Sequence, residues 1–236
     1  MIKWDDFKDQ FHESWWKWIQ PIIESSKFSE DFEMLKKEGK AGKVIPSSAS
    51  NNLFRVFRET SYEDMVVVVV GLSPYNSYLG DVEIADGLAM SCSNTNKEQP
   101  TLTKWYDAME VEFGKSIERD PNLLYLAKRG ALLYNISLTT GYKQATSHLH
   151  IWEHFSKELF TNAISASGVP IITLGKEADK VGGWVLPWQR HYSLKHPAYA
   201  SYAKIPWDSE GVFAAVEKEL LGNGIHFKWI KEKNKF

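Results

Sequence analysis

The sequence predicts an α/β protein, a three-layer αβα sandwich around a central, mostly parallel sheet of four strands. Three stretches are continuously apolar and rich in β-branched residues, as in parallel strands that are buried on both faces. Stretches with helical periodicity alternate with them, which is typical of doubly wound sheets.

The strands and helices of the core follow one another along the chain. The predicted strands span Met65 to Val70, Gly130 to Leu138, Gly168 to Gly175 and Gln189 to Pro197. The helical patterns between and after them read "TLTKWYDAMEVEFG", "HIWEHFSKELFTNAISA" and "SEGVFAAVEKELLGN".

A helical segment over residues 1–60 precedes this core, which occupies residues 65–230, and we expect all 236 residues to form one domain. Apolar residues at helical spacing from Trp4 to about Lys37 predict two amphipathic helices that are broken near Pro21. The stretch "AGKVIPSSASNN" predicts a loop and "LFRVFRET" a helix, whereas the terminal "KEKNKF" is expected to fray.

Composition limits the partners and the compartment. The net charge of −2, from 28 basic and 30 acidic side chains, gives no global attraction to nucleic acid or to an anionic membrane, so polyanion binding would need a local patch. The single cysteine, Cys92, excludes an intrachain disulfide. No run of 18 apolar residues exists and the N-terminus "MIKWDDFKDQ" is unlike a signal peptide, so we expect a cytoplasmic protein without a membrane partner.

The informative residues are those that follow each predicted strand. In open α/β sheets the binding crevice lies outside the carboxyl ends of the strands. Four segments are therefore expected to converge on one cleft: Gly71 to Asn76, Asn135 to Thr140, Gly175 to Lys176, and His196 to Tyr202.

These strand ends resemble the motifs of the uracil-DNA glycosylase family. "GLSPYN" is similar to the family's Gly-Gln-Asp-Pro-Tyr-His loop, and "ADGLAMS" to its Ala-His/Asn-Gly-Leu-Cys-Phe-Ser segment. Further similar segments, in the family's order over nearly the whole chain, are "QPTLTKWYDAME", "GALLYNISLTT", "ATSHLHIWEHF" and "HPAYAS". The resemblance implies the family fold and the hydrolysis of an N-glycosidic bond in DNA, with a base that is flipped out of the helix.

The resemblance also implies roles for individual residues. Asn135 would read a pyrimidine edge with two hydrogen bonds, and Leu72 would lie beside the base. Tyr75 would press against C5 of uracil and exclude the methyl group of thymine. His196 would donate to O2 as negative charge develops there. Ordinary structural roles remain open, with Asn135 as a turn former and Tyr75 as a core residue.

The chain departs from the family pattern at specific positions. Ser73 replaces the aspartate that orients water and faces the sugar cation, and a hydroxyl carries no charge near neutral pH. Met90 replaces the phenylalanine that stacks on the base, which exchanges a flat ring for a flexible side chain. Ala200 replaces the leucine wedge, for which Tyr199 and Tyr202 are alternatives. Asn76 replaces the loop histidine near the phosphate.

Acidic residues lie in the loop that follows Asn76, which is longer than the family's loop. One hypothesis is that Asp81 or Asp86 supplies the missing charge from a different backbone position, with Glu83 as a further acid. The alternative is that all of them are solvated loop residues.

The remaining expectations concern DNA, metals and oligomeric state. A metal site at His148, His150 and His154 is disfavoured because no cysteine or carboxylate completes it, and Ser147 as a helix cap is the simpler explanation. The chemistry needs only water, so we expect no cofactor, a monomer, and DNA as the partner. Local contacts to DNA, or simply solvated surface, are expected at Thr101, Thr103, Lys104, Ser147, Lys176, Lys195, Tyr199, Ala200, Ser201 and Lys204.

Three functions from different classes stay open. The first is a DNA glycosylase with shifted specificity, which acts on a modified pyrimidine such as a hypermodified phage base, as a defence. The second is a slow uracil-DNA glycosylase in which Ser73 holds the water. The third is a non-catalytic DNA-binding or processivity subunit, which is disfavoured because Asn135 and His196 are retained.

Overall fold

A computed structural model describes residues 2–42, 44–47 and 50–231, and its centre is a four-stranded sheet. The strands lie in the order β5-β2-β7-β8 and all three pairings are parallel. They are β2 (Val67–Gly71), β5 (Ala131–Asn135), β7 (Ile171–Leu174) and β8 (His191–Leu194). The predicted sheet is confirmed.

Each strand is shorter than the pattern predicted, and β5 and β8 end early because the chain leaves the sheet at the cleft. Beyond β5, the backbone N–H groups of Ile136 and Ser137 donate to the carbonyls of Gly71 and Leu72 at 3.0 and 2.9 Å. These bonds belong to the loop after β2 rather than to the strand ladder. At the end of the fourth predicted strand, Pro197 opens a helix, where its missing N–H is of no consequence.

Helices cover the sheet in two groups. The helices α1, α2 and α6 contact one another, and α4 contacts α8 and α9. The bounds are α1 (Trp16–Ile23), α2 (Ser26–Ala41), α3 (Arg55–Glu59), α4 (Pro100–Phe113), α5 (Leu124–Ala127), α6 (Leu149–Leu159), α7 (Ser165–Ser167), α8 (Pro197–Ala203) and α9 (Val212–Gly222). Together with the sheet they form the predicted three-layer sandwich.

Aromatic side chains fill the space beneath both groups. One cluster joins Phe54 to Phe57, Trp152 and Phe155, and a second joins Trp105 to Trp207, Phe213 and Trp229. Most of the tryptophans are therefore packing residues. Large rings bury much apolar area and prefer tilted or edge-to-face contacts, which both clusters show.

The N-terminal segment differs from its prediction. Short 3-10 turns occupy Trp4–Asp6, Lys8–Gln10 and Glu13–Trp15, and Pro21 lies inside α1 rather than at a break. The two predicted helices are present, and the break lies shortly after Pro21, at residues 24–25, since α1 ends at Ile23 and α2 begins at Ser26. The hydroxyl of Ser25 caps α2 by accepting from the N–H of Phe28.

The predicted helix over residues 150–166 is interrupted. Its middle, Phe160–Ile164, is a turn of π-helix between α6 and α7. The carbonyl of Phe160 accepts from the backbone N–H of Ser165, as the wider turn requires, and also from the Ser165 hydroxyl at 2.9 Å.

Short two-stranded ladders lie outside the main sheet. The strand β1 (Val44–Ile45) lies in the predicted loop and pairs with β6 (Thr140–Gly141). The strands β3 (Tyr78–Leu79) and β4 (Val82–Glu83) form a hairpin within the long loop after Asn76. Strands of two residues carry no periodicity, so the sequence did not predict them.

Of the terminal "KEKNKF", Lys231 is ordered, whereas residues 232–236 lie outside the described residues. Lys231 pairs with Asp120 and forms a backbone bridge with Glu118. Within the described ranges, no helix has the length and apolarity that a membrane crossing requires.

Trp15 fastens the N-terminal segment to the core, and its loss is expected to be costly. The side chain is 0% exposed, and its indole N–H donates to the carbonyl of Thr60 at 2.8 Å. We expect Trp15→Ala to lower the free energy of unfolding by about 3–5 kcal/mol in urea denaturation. Trp188 is the control because it is 69% exposed, and Trp188→Ala should change this free energy by less than about 0.5 kcal/mol. Equal effects would contradict this assignment.

Candidate active site

A cavity of about 240 Å³ lies at the carboxyl end of the central sheet. It is lined by Gly71 at the end of β2 and residues 72–76 after it, by Asn135 at the end of β5 and by His196, which caps α8. Three of the four predicted strand ends therefore meet here. The fourth contributes indirectly, since a Cβ on Gly175 would lie 3.0 Å from the Cβ of His196.

The loop after β2 is held by its backbone. Besides the bonds from Ile136 and Ser137, the carbonyl of Asn76 accepts from the N–H of Lys143 at 2.7 Å. This fixed path places the side chains of Leu72, Ser73 and Tyr75 along the cavity wall.

Asn135 lies over Gly71, its register partner in the parallel pair of strands. A Cβ added to Gly71 would approach Oδ1 of Asn135 to 2.4 Å, so only glycine leaves room for the amide in this position. The side chain is 8% exposed and makes no hydrogen bond to any other described residue. Its donor and its acceptor are therefore available to a ligand with the complementary pair of groups, as on a pyrimidine edge.

His196 caps the helix α8, and this contact fixes its protonation. The backbone N–H of Ala198 donates to Nδ1 of His196 at 3.1 Å. In the neutral ring the proton must then sit on Nε2, which becomes a hydrogen-bond donor. Burial lowers the pKa of the His196 imidazole, which favours this neutral form.

Tyr75 and Met90 form a second wall and are bonded to each other. The hydroxyl of Tyr75 donates to the backbone carbonyl of Met90 at 3.1 Å, and burial raises the pKa of this phenol. Met90 has a left-handed backbone, with φ of 64°, which is strained for a side chain of this kind. Its side chain lines the cavity.

Among the described residues, the cavity lining contains no carboxylate and no cationic side chain. Its polar side chains are neutral ones, namely those of Ser73, Tyr75, Asn76, Thr101, Asn135, His196 and Tyr202. A site of this kind can hold a small uncharged ring and can stabilise negative charge on it only through hydrogen-bond donors.

Comparison with known proteins identifies the family. A uracil-DNA glycosylase of Bacillus subtilis is 30% identical over 189 residues, which cover 80% of this chain and 76% of that protein. The chain belongs to the uracil-DNA glycosylase family. A second member, from Blochmanniella floridana, is 31% identical over 72% of this chain and 77% of its own length. No family model matches the chain.

Solved structures agree with this family fold. The crystal structure of mimivirus uracil-DNA glycosylase superposes with a TM-score of 0.79 and 18% identity, covering 94% of this chain and 89% of that one. The uracil-DNA glycosylase structure from Nitratifractor salsuginis gives a TM-score of 0.64 at 15% identity, covering 95% of this chain and 98% of that one.

The acids proposed to compensate for Ser73 in this family member lie outside the cavity lining. Asp81 is exposed at the tip of the β3–β4 hairpin. Glu83 accepts from the N–H of Ser47 and from the hydroxyl of Tyr78. Asp86 is fully buried and is bonded to Arg55, Ser91 and Ser93. The hypothesis that Asp81 or Asp86 supplies the missing charge finds no support in this geometry.

The residues predicted to contact DNA differ in their exposure to solvent. Ala200 is only 2% exposed, so the position that the family resemblance assigns to the wedge faces the interior, because α8 packs on α4. Tyr199 and Tyr202 are 62% and 88% exposed on the same helix, and Tyr202 reaches the cavity. Exposed or partly exposed positions outside the lining are Thr103, Lys104, Lys176, Lys195, Ser201 and Lys204.

Ser147 does not cap α6, contrary to expectation. Its hydroxyl accepts from the N–H of Gly141 at 2.9 Å, and His148 occupies the cap position. His148 is buried with Nδ1 at 2.9 Å from Oγ1 of Thr139. In the part of the chain that the structure describes, no group of three or more His, Cys, Asp or Glu side chains is arranged to hold a metal.

Some residues of the site carry no signal in the sequence. Leu138 and Ala145 line the cavity, and Arg55 supports its wall through Asp86, although nothing in their sequence context singles them out. Gly175, with φ of 92°, permits the approach of His196, and its place at a strand end was the available clue.

The His196 contacts predict a specific tautomer and titration. The lowered folded-state pKa means that His196 stabilises the fold above its ordinary value of about 6.5, and that this contribution is lost as the pH falls through the folded value. We expect nitrogen-15 NMR to show the proton on Nε2 at pH 7 and a midpoint below about 6.5. The spectrum of His196→Gln assigns the signal. A proton on Nδ1, or a midpoint above that value, would contradict the capping geometry.

Proposed function

We propose that this protein is a DNA glycosylase that hydrolyses the N-glycosidic bond of an extruded uracil nucleotide. The observation that carries the proposal is the meeting of three groups in one small cavity: the free amide of Asn135, the Nε2–H of His196 and the ring of Tyr75. The family relatives named uracil-DNA glycosylase support the same reaction.

The cavity suits a base that leaves as an anion. Asn135 would bind the uracil edge through its amide, and the Nε2–H of His196 would donate to O2 as the glycosidic electron pair moves onto the base. The described lining holds no charged side chain, so no ionic group there competes with the base for this hydrogen bond. A positioned donor of this kind contributes about 3 kcal/mol to transition-state stabilisation.

Ser73 would make the reaction slow. Water must attack the sugar carbon from which the base departs, and the sugar is then positively charged. A serine hydroxyl can hold the water but cannot offset this charge as a carboxylate does. The protein would therefore rely on His196 and Asn135 for most of its rate enhancement.

The fixed position of Tyr75 supports uracil over a modified pyrimidine. Its hydroxyl bond to the Met90 carbonyl holds the ring at the wall that would face C5 of the base. The cavity is also smaller than the roughly 300–1,000 Å³ of drug-sized sites. Removal of modified phage bases would need Tyr75 to leave this bond. Action as a monomer and a cytoplasmic location stay predictions from the sequence.

The direct test is excision from DNA. Single-stranded DNA with one uracil is incubated with the protein, and abasic sites are detected by strand breakage in alkali. We expect cleavage at uracil, reduced roughly 10²–10³-fold in His196→Ala and in Asn135→Ala. DNA with hydroxymethylated or glucosylated pyrimidines is assayed in parallel. Cleavage of modified DNA alone would favour shifted specificity, and no abasic site from any DNA would favour a binding subunit.

Restoring the acid should accelerate the reaction. We expect Ser73→Asp to raise the single-turnover rate of uracil excision by roughly 10²-fold, because a carboxylate would then face the sugar cation. Ser73→Asn is the matched control, since it has the same shape without the charge, and it should stay within roughly tenfold of the wild type. If the Asp and Asn variants have equal rates, charge at this position does not limit the reaction.

A further inference from the structure

We propose that Asp86 is a positioning residue that sets the base specificity of the cavity, by holding the turn on which Met90 and the anchor of Tyr75 depend. The inference rests on the proposed function and adds a determinant that lies outside the cavity. Asp86 is fully buried and is absent from the described lining.

The Asp86 carboxylate ties together both ends of the turn formed by residues 86–93. Its Oδ1 accepts from the N–H of Leu88 at 3.2 Å. Its Oδ2 accepts from the hydroxyl of Ser91 at 2.6 Å, and from the N–H and the hydroxyl of Ser93 at 2.9 and 2.6 Å. Neutral donors from three positions of the turn thus converge on one side chain.

A buried cation completes this network. Nη1 of Arg55 lies 3.1 Å from Oδ2 of Asp86 and also donates to the backbone carbonyl of Asp86 at 3.0 Å. Because both side chains are largely removed from water, loss of the Asp86 charge would leave Arg55 with the more distant Glu59, at 3.6 Å, as its carboxylate partner. The turn also sits tightly against the start of α3, since a Cβ on Gly87 would lie 2.2 Å from the carbonyl oxygen of Asn52.

The turn carries the wall residue Met90 and the backbone carbonyl that anchors Tyr75. Met90 holds a left-handed backbone, with φ of 64°, a strained conformation that persists only where the surroundings enforce it. Its carbonyl is the acceptor for the Tyr75 hydroxyl. The network around Asp86 therefore fixes Met90, and through the Met90 carbonyl it fixes Tyr75.

This linkage determines what a substituent at C5 of the base would meet. A larger base must move the Tyr75 ring, which breaks the bond to Met90 or shifts the turn. The turn resists the shift because the bonds to Asp86 would break with it. Weakening the network should therefore improve the fit of C5-substituted bases more than it affects uracil.

The test compares two bases in the same single-stranded DNA. We measure kcat/KM for excision of uracil and of 5-bromouracil, whose bromine is close to a methyl group in size. In Asp86→Asn, one amide N–H must face a donor of the turn, and Arg55 keeps only the more distant carboxylate of Glu59, at 3.6 Å, among the ion pairs of the described residues. We expect the preference for uracil to fall at least tenfold relative to the wild type. The fall should be smaller in Ser93→Ala, which removes the hydroxyl's bonds to Asp86 and Arg55 and keeps the other bonds to Asp86.

The matched control is Glu217, another buried carboxylate. It accepts from the N–H of Trp229 at 2.9 Å and from Lys228 at 2.6 Å, outside the described cavity lining. Glu217→Gln should lower the thermal midpoint without changing the ratio of the two bases. A general loss of stability would thus lower the thermal midpoint, whereas loss of the proposed positioning role would change the ratio of the two bases.

Tyr75→Phe tests the route of the effect. If Asp86 acts through Tyr75, the changes in the base ratio in Asp86→Asn and Tyr75→Phe should not add in the double variant. Additive changes would overturn the proposed route. If Asp86→Asn fails to fold, the changes in the base ratio are compared instead in Ser93→Ala, Tyr75→Phe and their double variant, and additivity there overturns the route.

The outcomes separate this inference from the proposed function. A folded wild-type protein that excises no uracil overturns the proposed function, and the role of Asp86 falls with it. A wild-type protein that excises uracil, together with a folded Asp86→Asn variant that keeps the wild-type preference, overturns the role of Asp86 alone.

Discussion

The close approach of two neighbouring strands is the constraint on which the site depends. The parallel register of β2 and β5 sets Gly71 opposite Asn135, and the missing side chain at Gly71 leaves the space that the Asn135 amide occupies. The loop after β2 then bonds to the chain after β5, which carries Ser73 and Tyr75 to the same cavity. Burial of the sheet under two helical layers keeps this register from slipping. The cavity is built on the ends of these strands, so a fixed register also fixes its shape.

Function in this family member is assembled from neutral groups. The proposed chemistry relies on hydrogen-bond donors whose positions are set by contacts on their far sides, with Ala198 behind His196 and Met90 behind Tyr75. Formal charges lie outside the cavity lining, in the Arg55–Asp86 pair. The charge at this distance orders the wall of the cavity, and the cavity itself stays free of ions among the described residues.

The sequence predicted the sheet because a run of valines is an unambiguous signal of burial. The rule that sites lie at the carboxyl ends of strands singled out Asn135 and His196, which the structure places in one cavity. The sequence did not predict which way Ala200 faces, since α8 has only seven residues and too little periodicity. Asp86 shows a different limit. An acid beside serines has the same pattern whether its carboxylate faces a substrate or a buried arginine, and only packing distinguishes the two.

The capping of α8 by His196 has a consequence for how acid acts on the molecule. Nδ1 of His196 must stay unprotonated to cap α8. The helix that it caps presents Tyr199 and Tyr202 to solvent. Protonation of Nδ1 would leave the Nε2–H donor in place, but it would turn the helix cap from an acceptor into a donor and release the first turn of that helix. Acid would therefore act on this site by displacing His196 from its position, and the tyrosines on the same helix would move with it.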